Sequence, residues 1–256
     1  MIIVPALSPN YNERVFPTQG GRSRISMIIL HYTDMPTAAE SRALMQDPAH
    51  KACAHYLVDI NGTIEQLVSD EHRAWHAGVS YWAGEEDINS ISLGIEIQNA
   101  GHRGGSQPYP LQQIKAVTAL CRHLIAKHDL DKEAVLAHSD VAPARKIDPG
   151  EWFPWADLAA HEVGYWPTVC MADKMHATEM ADEELIELLT ICGYDMRQDL
   201  KLVIAAFQRH FVPEIFLDPD SVGKADVLTR AKLIHCAAHA QARGGALGFR
   251  RALTSA

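Results

Sequence analysis

Two apolar runs in this chain each end on a histidine, and that repetition restricts the fold more than any other feature. Met27-Ile28-Ile29-Leu30 runs into His31, and Ala134-Val135-Leu136-Ala137 runs into His138. A short continuous apolar run bounded by turn residues is the pattern of a strand buried on both faces, as in a parallel or mixed sheet covered by helices. Two such strands lying parallel bring both imidazoles to one edge of the sheet. In open α/β sheets that edge, beyond the carboxyl ends of the strands, is where ligands sit.

After His138 the chain continues Ser139-Asp140-Val141-Ala142-Pro143-Ala144-Arg145-Lys146-Ile147-Asp148-Pro149, a loop punctuated by prolines and carrying an ammonium and a carboxylate. Loops on a rigid scaffold are where function concentrates. Taken singly, each histidine reads as a strand-end residue bonded to a loop carbonyl. Taken together, His31, His138 and Asp148 are three N/O donors without a cysteine or an evident fourth protein ligand. That set suits a catalytic zinc site with an open position rather than a closed structural one. Such a site needs a proton acceptor. The stretch 91–99 alternates apolar and polar residues, so Glu96 projects from one strand face beside Gly94 and Gln98. It also needs a group to hold the oxyanion that forms, and Lys146 has the charge and the position for it.

The remaining sequence predicts a mixed α/β layout. Residues Thr37 to Met45 read as a short helix capped by Thr37 or a neighbour, and Asn61-Gly62 is a hairpin turn between strands at 53–60 and 63–68. Residues 74–82 form an aromatic, small-residue loop. From Leu111 to Leu130 an amphipathic helix carries Ile114, Val117, Cys121, Leu124 and Ile125 on one stripe. Residues 8–24 read as a surface arm, and Trp82, Trp152 and Trp155 as packing residues. Past Trp166-Pro167 the texture changes. Residues 168–181 read as a linker, and three helical stripes follow from Asp182, enough for a small bundle that leans on the first domain. The expected division is therefore a catalytic domain over 1–167, a linker over 168–181 and a helical domain over 182–256.

Composition narrows the partners. The net charge of −9 disfavours a phosphate backbone, so no nucleic acid is expected. The five cysteines are odd in number and widely spaced, which argues against a disulfide framework and suits a reducing compartment. No apolar run approaches the ~18 residues of a membrane span. No basic region precedes the first apolar residues, so the sequence reads as cytoplasmic, with the periplasm as the alternative if an export signal was trimmed.

Five segments then fall in order over residues 25–155: Ile29-Leu30-His31-Tyr32-Thr33, Ala54-His55-Tyr56-Leu57, Arg73-Ala74-Trp75-His76-Ala77-Gly78, Leu93-Gly94-Ile95-Glu96-Ile97, and the His138 to Gly150 loop. As a set they resemble the zinc-dependent N-acetylmuramoyl-L-alanine amidases of the AmpD/AmiD type, which share a fold with peptidoglycan recognition proteins and phage T7 lysozyme. The resemblance implies a mixed central sheet flanked by helices, with a small C-terminal three-helix bundle. It implies Zn2+ on His31, His138 and Asp148, Glu96 as general base and Lys146 as oxyanion stabiliser. It also implies substrate contacts from Tyr56, Trp75, His76 and Asn99. For His55 and His76 a polar role behind the ligands is equally open. Residues 182–245 are similar to the helical peptidoglycan-binding domain of AmiD-type enzymes, with Leu217-Asp218-Pro219-Asp220-Ser221 in place of its glycine-rich turn. The implied reaction is hydrolysis of the amide between N-acetylmuramic acid and L-alanine. Soluble 1,6-anhydro-muropeptides of cell-wall recycling are the expected substrate, and peptidoglycan a broader one. A non-catalytic muropeptide binder is the competing reading; binders on this fold lack part of the metal triad, which this sequence offers complete.

Overall fold

The two histidine-ended runs lie side by side at the centre of a six-stranded sheet. This is a computed structural model, and it describes residues 1–16, 24–105 and 107–250. In chain order the N-terminal part contains β1 (Ile3–Pro5), β2 (Tyr11–Glu13), β3 (Met27–Tyr32), α1 (Ala38–Gln46), β4 (Tyr56–Val58), β5 (Ile64–Gln66), β6 (His72–Ala74), α2 (Ile88–Ile91), β7 (Ser92–Ile97), α3 (Leu111–His128), β8 (Val135–Ala137), α4 (His138–Val141) and α5 (Trp155–Ala160). Then come α6 (Met171–Glu179), α7 (Asp182–Cys192), α8 (Leu200–Phe211), α9 (Val227–Ala242) and a closing hairpin of β9 (Gly245–Ala246) and β10 (Phe249–Arg250).

The main sheet has the order β1-β5-β4-β7-β3-β8, parallel except where the Asn61-Gly62 turn folds β5 back on β4. Gly62 takes φ +81°, the left-handed conformation that such a turn requires. In the parallel β3–β7 pair His31 lies opposite Glu96, and Leu30 lies opposite Ala137 at the end of β8. The three strands, neighbours in the sheet, thus deliver His31, Glu96 and His138 to one edge.

Strand alternation splits the core between the two faces of the sheet. Ile28, Leu30, Leu93, Ile95 and Val135 face one way, against Val117, Leu120, Cys121 and Leu124 of α3 and against Phe153 and Trp155. Met27, Ile29 and Leu136 face the other way, and there they meet Trp82, Leu185, Leu189, Tyr194, Phe207 and Phe211 in one cluster. The C-terminal helices therefore cover a sheet face rather than enclosing a separate core. Burying a side chain such as Phe207, fully enclosed here, is worth about 1.5–3 kcal/mol, and that term is shared across the two halves.

One expectation needs correction. The segment 168–181 is not an irregular linker: Met171–Glu179 is helical, and Ala177 and Met180 are buried. A stretch that buries only Ala177 and Met180 has no visible period, yet it docks along α9. The arm over 8–24 lies at the surface at Tyr11–Glu13 and is tied down where it is described, residues 17–23 lying outside the described ones. Ser8 and Asn10 bond the carbonyl of Met45. Arg14 donates to the carbonyls of Asp70, Asn89, Ser90 and Ser92. No helix among the described residues is long and apolar enough to cross a membrane.

Candidate active site

His31, His138 and Asp148 converge at the edge of the sheet. His31 is the penultimate residue of β3, on the same face as Ile29. His138 starts the one-turn helix α4, and the backbone N–H of Ser139 donates to the Asp148 carbonyl at 3.0 Å, closing the loop so that its carboxylate returns to the histidines. The Nδ1 atoms of His31 and His138 are 2.8 Å apart, and Asp148 Oδ2 lies 3.1 Å from the first and 2.9 Å from the second. All three residues are buried. Three ligand atoms lie within 4.8 Å of one another.

This donor set fits a divalent metal. Two imidazoles and a carboxylate, pressed together out of water, gain from a cation that neutralises the carboxylate and accepts both lone pairs. The local electrostatics agree. Burial, with the neighbouring His138, lowers His31 to about 4, so it stays neutral at pH 7. The two histidines hold Asp148 well below the usual carboxylate range against the opposing effect of burial.

Glu96 stands on the same face, opposite His31 across the strand pair. One of its carboxylate oxygens, Oε2, is buried without a hydrogen-bond partner among the described residues. Burial and the negative Asp148 push its carboxyl well above the usual range, and Lys146 pulls the other way. A carboxyl raised in this manner, beside two buried imidazoles and a carboxylate, is a candidate general base or acid.

These groups line one cavity of about 440 Å3, whose walls include Tyr32, Trp75, His76, His102, Arg145 and Lys146. Of the expected substrate contacts, Trp75 and His76 line it, Trp75 with its indole N–H on Asn12 Oδ1 at 2.6 Å. Asn99 is buried beside it, bonded to the Gln107 carbonyl and the Gly101 N–H, and borders a smaller cleft with Tyr32, His102 and Trp152. Tyr56 is a correction. It is a core residue whose hydroxyl donates to Asp70 at 2.5 Å, and it does not line the cavity. His55 sits behind His76, its Nδ1 accepting from the Gly94 N–H at 2.9 Å. The sequence reading missed Tyr32 and His102. Their hydroxyl–imidazole contact of 3.0 Å, with His102 also on Glu151, stiffens the cavity rim. Tyr32 follows a proposed ligand directly, which was the available signal; His102 in a Gly-rich loop offered none.

A larger groove of about 800 Å3 runs beside the cavity, lined by Arg73, Tyr81, Arg145, Asp195 and Arg197. Its charges are already satisfied. Arg73 pairs with Asp87, Arg197 with Asp195 and Glu86, and Arg145 caps the carbonyls of Ala77 and Val79. No donor set for a metal converges there among the described residues.

Comparison with known proteins supports this geometry. Residues 21–151 match the family model described as N-acetylmuramoyl-L-alanine amidase. The chain is 36% identical over 235 residues to the N-acetylmuramoyl-L-alanine amidase AmiD of Escherichia coli (strain K12), covering 83% of this chain and 82% of that one. It is 30% identical over 166 residues to the 1,6-anhydro-N-acetylmuramyl-L-alanine amidase AmpD of Haemophilus influenzae, covering 58% of this chain and 85% of that one. Among solved structures, E. coli AmiD in complex with anhydro-N-acetylmuramic acid-L-Ala-D-γ-Glu-L-Lys superposes with a TM-score of 0.73 at 33% identity, covering 88% of this chain and 96% of that one.

Proposed function

This chain belongs to the N-acetylmuramoyl-L-alanine amidase family, and on that premise we propose that it hydrolyses the amide joining N-acetylmuramic acid to L-alanine in muropeptides, with Zn2+ held by His31, His138 and Asp148. The observation that carries the reading is the convergence of those three donors in one cavity with the unpartnered carboxylate oxygen of Glu96. When bound, the ion supplies Lewis acidity and lowers the pKa of water at the site. The protein's own groups do the rest. Glu96 takes the proton of the attacking water through its free oxygen. The Lys146 ammonium, which makes no ion pair among the described residues, is available to the oxyanion that develops on the carbonyl. Glu96 then returns the proton to the departing amine of L-alanine, so one carboxyl serves as base and acid in turn. Its raised pKa favours the second role as much as the first.

The substrate belongs to the same proposal. Soluble 1,6-anhydro-muropeptides are favoured because both relatives named above act on, or were captured with, anhydro sugars. Intact peptidoglycan is the broader substrate of the same proposal, since the likeness to the N-acetylmuramoyl-L-alanine amidase AmiD covers 83% of this chain, more than the family model spans. A cytoplasmic recycling role is supported by five cysteines that all remain free thiols.

The test is one digestion read by mass spectrometry. Zinc-loaded protein is offered 1,6-anhydro-N-acetylmuramyl-tripeptide and, separately, intact sacculi, with Glu96→Ala as control. Release of tripeptide from the soluble substrate alone is the expected result. Release from sacculi as well would make the enzyme a wall-acting one. No release from either, with zinc bound, would leave a binding protein on an amidase fold.

A further inference from the structure

Behind the metal-ligand cluster lies a layer of polar groups that the reaction above does not use. Their donor directions can be worked out from the acceptors at the ends. His138 turns Nε2 to the carbonyl of Ala77 at 3.0 Å. A carbonyl only accepts, so Nε2 carries the proton and Nδ1 is the bare nitrogen of the neutral ring. For His31 the same argument takes three steps. The Ser92 hydroxyl donates to the Ile88 carbonyl at 2.6 Å. With its one hydrogen spent, Ser92 Oγ accepts from His76 Nε2 at 3.1 Å. His76 then has a lone pair on Nδ1, which accepts from His31 Nε2 at 3.0 Å. The nitrogen left bare on His31 is Nδ1, the atom that faces His138 Nδ1 and Asp148.

The chain makes room for this relay. The His76 ring lies against β7 at Gly94, where a Cβ would come within 2.4 Å of His76 Cγ. Asn89 Oδ1 accepts the N–H of His76 at 3.0 Å and that of Ala77 at 2.8 Å, which fixes the dipeptide as a unit. Arg145 shares the Ala77 carbonyl at 2.8 Å. Two consecutive residues therefore address the two imidazoles, one through a side chain and one through the backbone.

We propose that the His76-Ala77 dipeptide sets the tautomers of both imidazole ligands, His76 acting on His31 with Ser92 behind it and Ala77 acting on His138, so that both rings present a bare Nδ1 to the same point before a metal arrives. The proposal rests on reading His31, His138 and Asp148 as a metal site. It makes His76 a positioning residue rather than a substrate contact. Groups of this kind commonly tune metal affinity by 10–100-fold.

The tautomers are read by long-range 1H–15N NMR on the metal-free full-length protein at neutral pH. His31 and His138 are expected with the proton on Nε2. In Ser92→Ala and in His76→Phe, His31 is expected to lose its single tautomer while His138 keeps it. Zinc affinity by chelator competition adds a second readout. His76→Phe is expected to weaken binding about 10–100-fold, and His76→Gln, whose amide oxygen can accept from His31 Nε2–H, to recover most of it. A wild-type His31 protonated on Nδ1 would overturn the proposal, as would an unchanged His31 tautomer in both Ser92→Ala and His76→Phe. So would equal affinities for the Gln and Phe variants. If the wild type shows the expected tautomers and no zinc binding, the metal reading fails and the relay stands.

Discussion

Replacing Asp140 by alanine is expected to cost the fold about 3–5 kcal/mol, and much of that cost comes from residues 50 and more positions away along the chain. Asp140 is only 1% exposed and lies in α4, the single turn that begins with His138. Its Oδ2 accepts the Ala137 N–H at 2.8 Å and His210 Nδ1 at 2.7 Å, and its Oδ1 accepts the Tyr194 hydroxyl at 2.8 Å. Tyr194 and His210 belong to the helical part, so the carboxylate pins that part to the turn carrying a proposed metal ligand. Alanine strands three buried donors. Each unsatisfied group costs about 1–3 kcal/mol, and water entering the space left by the carboxylate recovers some of the sum. Tyr194→Phe strands only Asp140 Oδ1 and keeps the ring edge against Trp82 at a centroid distance of 4.9 Å, so about 1–2 kcal/mol is expected. The assay is urea unfolding followed by tryptophan fluorescence, since Trp155 stacks on His210 at 3.8 Å and reports the junction. Zinc affinity of Asp140→Ala should fall in parallel by about tenfold or more as α4 loosens. The double variant should cost little more than Asp140→Ala alone, because both changes break the same bond. An Asp140→Ala cost below about 1 kcal/mol, or full additivity in the double variant, would refute the argument that the helices buttress the site.

Other consequences can be checked separately. Glu96→Gln should retain zinc and lose about 10²–10⁴-fold in kcat, whereas Lys146→Ala should lose about 10²–10³-fold; measuring zinc content beside turnover separates either from simple metal loss. Gly94→Ala sets a methyl against the His76 ring and should destabilise the protein by about 1–3 kcal/mol, visible as a lower urea midpoint; an unchanged midpoint would show that the ring yields freely. In the metal-free protein His31 is depressed to about 4 by burial, then by His138. A histidine whose folded pKa lies below its unfolded one contributes stability in full above about pH 6.5 and loses it as pH falls toward the folded value. Because His55, lowered to about 3 chiefly by burial, shifts in the same direction, Tm of the metal-free protein should fall steadily between about pH 6.5 and 4. A flat Tm over that interval would show that the buried rings do not titrate on unfolding.

What could be read from the sequence follows from how local each constraint is. The convergence of His31, Glu96 and His138 was legible because strand runs end abruptly on polar residues, and a parallel register carries that ending across neighbours. Asp148 was legible because the loop leaves and returns within a few residues. Tyr56 was misread for the opposite reason. A strand tyrosine bonded to a buried carboxylate and one facing a groove have the same local sequence, and only the burial of Asp70, held also by Lys127 and His128, decides between them. The helix at 171–179 was hidden because its order comes from α9, more than fifty residues later, and not from its own period. His210 drew no reading of its own from the sequence, but its imidazole is the partner of Asp140. That last case shifts how the second part of the chain is understood. Its conspicuous polar groups at the junction, Tyr194, Arg209 and His210, point inward to Asp140 and toward Glu151, just past the loop that carries Asp148. A module evolved only to hold glycan would spend such groups on an outer surface. Here they are spent on Asp140 and Glu151, so the helical part buttresses α4, the turn that carries a proposed metal ligand.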